Sequence, residues 1–279
     1  MGVLYTLDPA MPVLLRPDGF VQVGWDPRRA VLVTTPAGLT PGALAELLRC
    51  MQSRIGIADL LVRATGKGLE NNDQMVDVVR ELVAAGVVAR HPDKVTGRSL
   101  NVQVHGSGPL SDVVVSALQC SGARVRQTSA RWATGADADL VLLTDYLAVD
   151  PALVRQLHDA RTPHLLVRCR DGTGLVGPMV IPGVTSCLRC ADLHRCDHDA
   201  AWPAVAAQLR DTVGNADRAT VLATAALAVN QVDRVLRAIR GGGARHSGPP
   251  STLDTTLEFD VGASSIVARH WSRHPRCTC

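Results

Sequence analysis

Four of the eight cysteines fall in two close pairs, Cys187-Leu188-Arg189-Cys190 and Cys277-Thr278-Cys279. A C-x-x-C knuckle lets two thiolates reach one tetrahedral metal ion at about 2.3 Å. The second pair ends the sequence, and a tail frays unless something ties it down. One shared ion gives both pairs a purpose, and four thiolates suit zinc. A closed Cys187, Cys190, Cys277, Cys279 site has no open coordination position, so its expected role is structural and its binding energy contributes to folding. Neighbouring donors leave alternatives: Cys196, His194 or His198 could supply ligands beside the first pair, and His274 could replace a terminal cysteine. Cys50, Cys120 and Cys169 occur singly in apolar segments and read as buried hydrophobes.

The elements that must position these thiols follow from local pattern. Val13-Leu14-Leu15, Phe20 to Val23 and Ala30 to Val33 alternate between turns at Pro17-Asp18-Gly19 and Trp25-Asp26-Pro27, which predicts a small antiparallel sheet. Thr40-Pro41 caps a helix over 41–52, carried by Leu44, Leu47, Leu48 and Met51. Ile57, Leu60, Leu61 and Ala64 make a second helix ended by Gly66. A third starts near Asn71 to Asp73, buries Met75, Val76, Val79, Leu82 and Val83, and stops at Gly86. A small sheet plus three helices is a winged-helix-like pattern. His91 to Gly97 has linker chemistry, so domains are expected at 1–95 and 96–279.

The second domain alternates strands and helices. Leu100 to Val104 reads as a strand, Gly106-Ser107-Gly108 as a tight turn, and Leu110 to Cys120 as a helix with Val113, Val114, Ala117 and Leu118 inward. Ala123-Arg124-Val125 starts a strand, and Leu140 to Leu143 is a buried parallel one. A helix over Pro151 to Ala160, a strand at His164 to Val167, and a strand or hairpin over Gly172 to Pro182 lead to the first cysteine pair. A long helix from Asp217 to Arg240 is apolar on most sides through Val221, Leu222, Ala225, Leu227, Val232 and Leu236, as for a buried or interfacial helix. Gly241-Gly242-Gly243 ends it, and Thr255 to Asp260 with Ser265 to His270 forms a final hairpin. The expected fold class is α/β: a Rossmann-like doubly wound sheet with a structural zinc site, preceded by a winged-helix-like α+β domain.

Composition narrows the function. With 279 residues, 46% of them hydrophobic, the chain can bury substantial cores. A formal charge of +3 with 20% charged residues carries no nucleic-acid or membrane-surface footprint. Met1 to Pro12 lacks the organisation of a secretory signal, and the longest apolar run, Ala219 to Val229, is too short to span a bilayer. A cytoplasmic protein is expected, with cysteines as thiols and metal ligands rather than disulfides. Lys67 and Lys94 are the only lysines, so basic side chains beyond residue 94 are all arginines.

The strand, glycine turn and helix at 100–120, the stretch Val176 to Gly183, the C-x-x-C with His194-Arg195 after it, the long apolar helix, and His274 to Cys279 together resemble the ThiF-like branch of ubiquitin-activating-type adenylating enzymes. The likeness covers about residues 97 to 279. It is nearest the cyclodehydratase and leader-peptide-binding proteins of thiazole/oxazole-modified peptide biosynthesis. Residues 10 to 90 resemble, more loosely, the winged-helix element that takes a leader peptide as an added strand. That resemblance implies a groove between the sheet edge near Val21 to Val23 and the helix face of Val76, Val79 and Arg80. It also implies a homodimer.

Adenylating relatives bring a glycine-rich turn to the nucleotide, an acidic residue to the ribose, and charged groups to phosphates and magnesium. Gly106 and Gly108 match that turn, but Pro109 stands at its third glycine position and has no N–H for a phosphate. The second strand, Arg124 to Thr128, carries no carboxylate for the ribose. Asp145 sits where a magnesium-binding carboxylate lies in such enzymes, or is a strand-end turn residue. A phosphate clamp would have to be arginine. These departures imply a vestigial nucleotide site at Gly106, Gly108 and Asp145 and no catalytic residue. The expected function is a zinc-binding partner that holds a precursor peptide and scaffolds an ATP-using cyclodehydratase. Two alternatives are an ATP-dependent adenylating enzyme acting on a peptide or carrier-protein carboxylate, and a redox-responsive zinc protein using Cys196.

Overall fold

The computed structural model describes residues 2–92, 99–121, 123–129, 137–239 and 248–279. The chain divides into two compact units, Met1–Gly97 with Arg237–Gly248, and Arg98–Leu236 with Pro249–Cys279.

In the first unit, β2 (Val13–Leu15), β3 (Val21–Val23) and β4 (Val31–Val33) form an antiparallel sheet in that order. The period of two is visible in its exposure: Val13, Val21, Val23 and Val33 are buried, while Leu14 and Leu32 face outward in line with Gln22. Helix α1 (Pro41–Cys50) begins where the Thr40 hydroxyl accepts from the Ala43 amide, and α2 (Ile57–Thr65) and α3 (Asn72–Ala84) follow. Gly86, at φ +71°, ends α3 in a left-handed turn. Leu44, Leu47, Leu48, Met51, Leu60, Met75 and Leu82 form the core under the sheet. A second sheet was not legible in the sequence: β1 (Val3–Leu7) lies between β5 (Ile55–Gly56) and β6 (Val88–Pro92). His91 and Pro92 therefore belong to β6 rather than to the expected linker, whose remainder, 93–97, lies outside the described residues.

The second unit is built on one mixed seven-stranded sheet in the order β13-β12-β11-β10-β9-β7-β8. Strands β7 (Asn101–His105), β8 (Arg124–Thr128), β9 (Leu140–Thr144) and β10 (His164–Arg170) pair in parallel, and β11 (Thr173–Val180), β12 (Thr255–Asp260) and β13 (Ser265–His270) continue antiparallel. Alternate residues of the central strands serve two cores. Val102, Val104, Leu140, Leu142, Leu165 and Val167 pack with α4 (Pro109–Gln119) and α8 (Arg218–Ile239). Val141, Leu143 and Leu166 pack with α5 (Pro151–Asp159) and α6 (Leu188–His198). A short α7 (Trp202–Gln208) follows α6.

Several expected burials are corrected. Ala117 is exposed, and Leu110 and Ser111 are buried instead, because the face of α4 is set by its first turn. Leu222 is 50% exposed, and the buried side of α8 carries Thr220, Thr224 and Gln231 beside Ala225, Ala228 and Val232, so this helix is amphipathic with small and polar contacts rather than apolar all round. Cys50 and Cys120 are exposed and only Cys169 is buried; both exposed thiols sit at or just past a helix end, where the apolar stripe has run out. The glycine run 241–243 lies outside the described residues. No helix among the described residues is long and apolar enough to cross a membrane.

Candidate metal centre and sheet switch point

Helix α6 opens at the first cysteine pair. Cys187 is its N-cap and Cys190 lies in its first turn, so spacing and helical pitch turn both thiols to one side. The segment after β13 brings Cys277 and Cys279 against them, and the four sulfurs lie within 4.8 Å of one another. Sγ–Sγ distances are 3.7 Å for Cys187–Cys190, 3.6 Å for Cys187–Cys277 and 3.4 Å for Cys190–Cys279. Four thiolates on a tetrahedral ion at about 2.3 Å would stand about 3.8 Å apart. The arrangement can hold a metal ion and is compatible with zinc.

Burial pushes the Cys187 thiol up, reinforced by charge on Cys190, and pushes Cys279 up to about 11. At Cys190 burial acts the same way but is outweighed by backbone N–H donors of His274 and Cys187, which hold it below an ordinary thiol. A cation at the centre would reverse the burial penalty at Cys187 and Cys279.

The other candidate donors have separate work. His274 pairs through Nε2 with Asp197 at 2.7 Å, and its Nδ1 accepts from the Arg276 amide at 3.1 Å. His194 is 3.1 Å from the Ser272 carbonyl. Neither these histidines nor Cys196 or His198 joins the sulfur cluster. The Asp197–His274 and Asp197–Arg276 pairs bind α6 to the cysteine-bearing tail.

The second candidate region lies where the parallel strand order reverses, between the carboxyl ends of β7 and β9; open α/β sheets place ligands in that crevice. Gly106 follows β7 and has no room for a side chain, since a Cβ there would stand 2.6 Å from the Thr144 carbonyl oxygen. A Cβ at Gly108 would stand 2.7 Å from Asp145 Oδ1. Of the three sequence-selected residues, Gly108 and Asp145 thus meet each other, while Gly106 abuts Thr144. Asp145 is 1% exposed, and its carboxylate accepts from the amides of Leu110 at 3.0 Å and Ser111 at 3.2 Å.

Other groups of this turn are engaged too, the Gly106 amide donating to the Thr128 carbonyl. Pro109 has none, Asp112 donates to the Gly108 carbonyl, and the Gly108 amide donates to Ser111 Oγ at 3.0 Å. The positive end of α4, the place an anion would dock, is therefore capped from within. Asp145 has φ +69°, a left-handed conformation that aspartate tolerates better than most residues. Its amide donates to the Val167 carbonyl and its carbonyl accepts from Gly214, so β10 and the segment before α8 hold it in place.

Beside this turn a cleft of about 260 Å³ is lined by His105, Ser129, Thr144, Tyr146, Asp150, Arg210 and Asp211. Burial lowers the pKa of His105, and its Nδ1 has no partner among the described residues.

The strand that the family resemblance offers as a peptide-accepting edge is not an edge. Strand β3 (Val21–Val23) is central, hydrogen-bonded on both sides, so it offers no edge. Val79 is 2% exposed and belongs to the core, whereas Val76 is half-buried and Arg80 is exposed in an ion pair with Asp77. The sheet edges are β2 and β4. The Ala37 amide, in the loop four residues past β4, donates to Gln74 of α3 at 2.8 Å.

Sequence reasoning passed over Ser111, which links Gly108 to α4, and Arg168, a charge on a buried strand. An arginine inside the apolar run His164-Leu165-Leu166-Val167 onward was the available signal for the second.

No protein-family model matches the chain, and no curated protein matches it in sequence. Solved structures do share its fold. A heterocyclase in complex with substrate and cofactor superposes with a TM-score of 0.68 at 14% identity, over 99% of this chain and 39% of that one. The heterocyclase TruD gives 0.67 at 17%, over 99% and 42%. E. coli MccB with ATP gives 0.57 at 12%, over 99% of both chains. The chain thus spans well under half of the heterocyclases it resembles and nearly the whole of MccB. The likeness establishes an α/β fold shared with these structures.

Proposed function

We propose that this protein is a non-catalytic, zinc-stapled ThiF-like partner that binds a precursor peptide and scaffolds a separate modifying enzyme in peptide natural-product biosynthesis. The observation that carries the reading is the Asp145 carboxylate seated on the Leu110 and Ser111 amides. An adenylating site needs those donors, or the carboxylate, free for phosphate and magnesium. Here each satisfies the other, the turn offers proline where a third glycine would stand, and β8 ends in Gln127-Thr128 without an acid for a ribose.

Zinc at Cys187, Cys190, Cys277 and Cys279 locks α6 and the tail together without an open coordination position, a structural role. In the first unit, a winged-helix-like element, the precursor peptide adds as a strand to the β4 edge, where Leu32 is exposed. MccB, a fold neighbour, has been solved with MccA, and another neighbour with its substrate, which supports a peptide as ligand. As in ThiF-like proteins, the second unit pairs as a homodimer.

The testing experiment is ATP–pyrophosphate exchange, run with and without precursor peptide beside a direct peptide-binding titration. Peptide binding without exchange is the expected result. Robust exchange would overturn the non-catalytic reading and favour the second one, an adenylating enzyme in which Asp145 leaves α4 to hold magnesium.

A further inference from the structure

On the α5/α6 face of the sheet, away from the capped turn, β10 places an arginine where its neighbours are apolar. Leu166 and Arg168 share that face, and Arg168 is 8% exposed. Among the described residues its guanidinium makes one hydrogen bond, from Nη1 to the Leu147 carbonyl, and its Nε is buried with no partner. Among the described residues no carboxylate lies within ion-pair distance of it, and the one acid whose charge favours it, Asp192, acts from further off. Burial, and then the charges of Arg195 and Arg170, push its pKa down to about 9, so it is still a cation at neutral pH. An uncompensated buried cation costs several kcal/mol unless an anion completes the site.

The surroundings are made for one. Arg168 opens into a cavity of about 70 Å³ whose charged lining is Arg168, Arg170, Arg195 and Arg210 against Asp192 and Glu258. Both acids are already engaged: Asp192 accepts from Arg195 at 2.9 Å and from the Trp202 indole at 3.2 Å, and Glu258 pairs with Arg269 at 2.7 Å and Arg170 at 3.4 Å. Arg195 lies between two indoles, 5.1 Å from the Trp202 ring centre and 5.2 Å from that of Trp271. Trp271 is itself fixed by a hydrogen bond to Thr256 Oγ1. These contacts fix the cationic wall and leave Arg168 with no direct ion pair among the described residues, only the more distant charge of Asp192.

We infer that this cavity binds a small carboxylate, seated end-on against the guanidinium tip of Arg168 with its short apolar stem among Leu147, Val154 and Leu188. A planar carboxylate matches the guanidinium fork in two parallel hydrogen bonds. The volume, about five water-sized groups, takes a carboxylate and a few carbons but not a nucleotide. The site does not depend on the precursor-peptide reading above.

The test is titration of the full-length protein with isobutyrate, inorganic phosphate and chloride at constant ionic strength, following tryptophan fluorescence and melting temperature. Isobutyrate should give a saturable fluorescence change, through Trp202 and Trp271, and a rise in melting temperature. Arg168→Lys keeps the charge but loses the fork, and should bind about tenfold or more weakly with unchanged circular dichroism. Arg168→Met should abolish the response; should it fail to fold, the lysine variant decides. The inference is overturned by no saturable response to isobutyrate, by an equal or stronger one to phosphate or chloride, or by undiminished affinity in Arg168→Lys.

Discussion

Replacing Asp145 by alanine should destabilise the second unit and at the same time create an anion site. The carboxylate accepts two backbone amides at 3.0 and 3.2 Å from a buried position, so its removal orphans both. Loss of a strong cap costs about 1–2 kcal/mol, and alanine at φ +69° adds about 1–2 kcal/mol, for about 3 kcal/mol in all. Asparagine keeps an accepting oxygen and tolerates the left-handed backbone, losing chiefly the charge against the helix dipole, about 1 kcal/mol. At about 2–4 °C per kcal/mol, alanine should lower the melting temperature by about 6–12 °C and asparagine by about 2–4 °C. With the amides of Leu110 and Ser111 exposed, inorganic phosphate should stabilise Asp145→Ala and leave the wild type unmoved. Calorimetry with and without phosphate reads both effects. Equal stability of the two variants, or phosphate stabilising the wild type as strongly as Asp145→Ala, would refute the internal cap.

The protein should carry about one zinc per chain by elemental analysis, and Cys187→Ser or Cys279→Ser should lower that content and the melting temperature together, as should a chelator. Leu32→Lys, on an exposed outward position of β4, should change stability by no more than about 0.5 kcal/mol yet weaken precursor-peptide binding in a titration; unaltered affinity would remove β4 from the binding edge. Burial pushes His164 down to about 4, against the opposing hydrogen bond between Nδ1 and the Thr162 carbonyl. The unfolded chain takes up that proton near pH 6.5, so this stability is intact above about pH 6.5 and falls by up to about 3 kcal/mol towards pH 4. Urea unfolding of wild type and His164→Gln across that window should show the flatter profile in the variant.

What the sequence determined by itself is what short-range periodicity and ligand chemistry encode. Alternation at 13–33 and helical spacing at 41–84 mark which side chains face a core, and the hairpin at 255–270 was readable to its ends. The two cysteine pairs were readable because a metal demands few residue types at short spacing, and the fold brings their sulfurs together. Strand pairing was not readable. Alternation tells which face of β3 is buried, not that β2 and β4 flank it, so it reads β3 as an edge, and β1, paired with β6 more than eighty residues on, escapes it.

The chemistry of the switch point was also a tertiary decision. Gly106, Gly108 and Asp145 were visible as residues, but Asp145 meets α4 across 35 positions, and only that contact turns a possible magnesium carboxylate into a helix cap. Arg168 likewise gains its meaning from what surrounds it. Its strand is apolar in sequence, but that the nearby carboxylates are already engaged elsewhere is decided by α6, α7 and β12, brought together by burial that no local pattern reports.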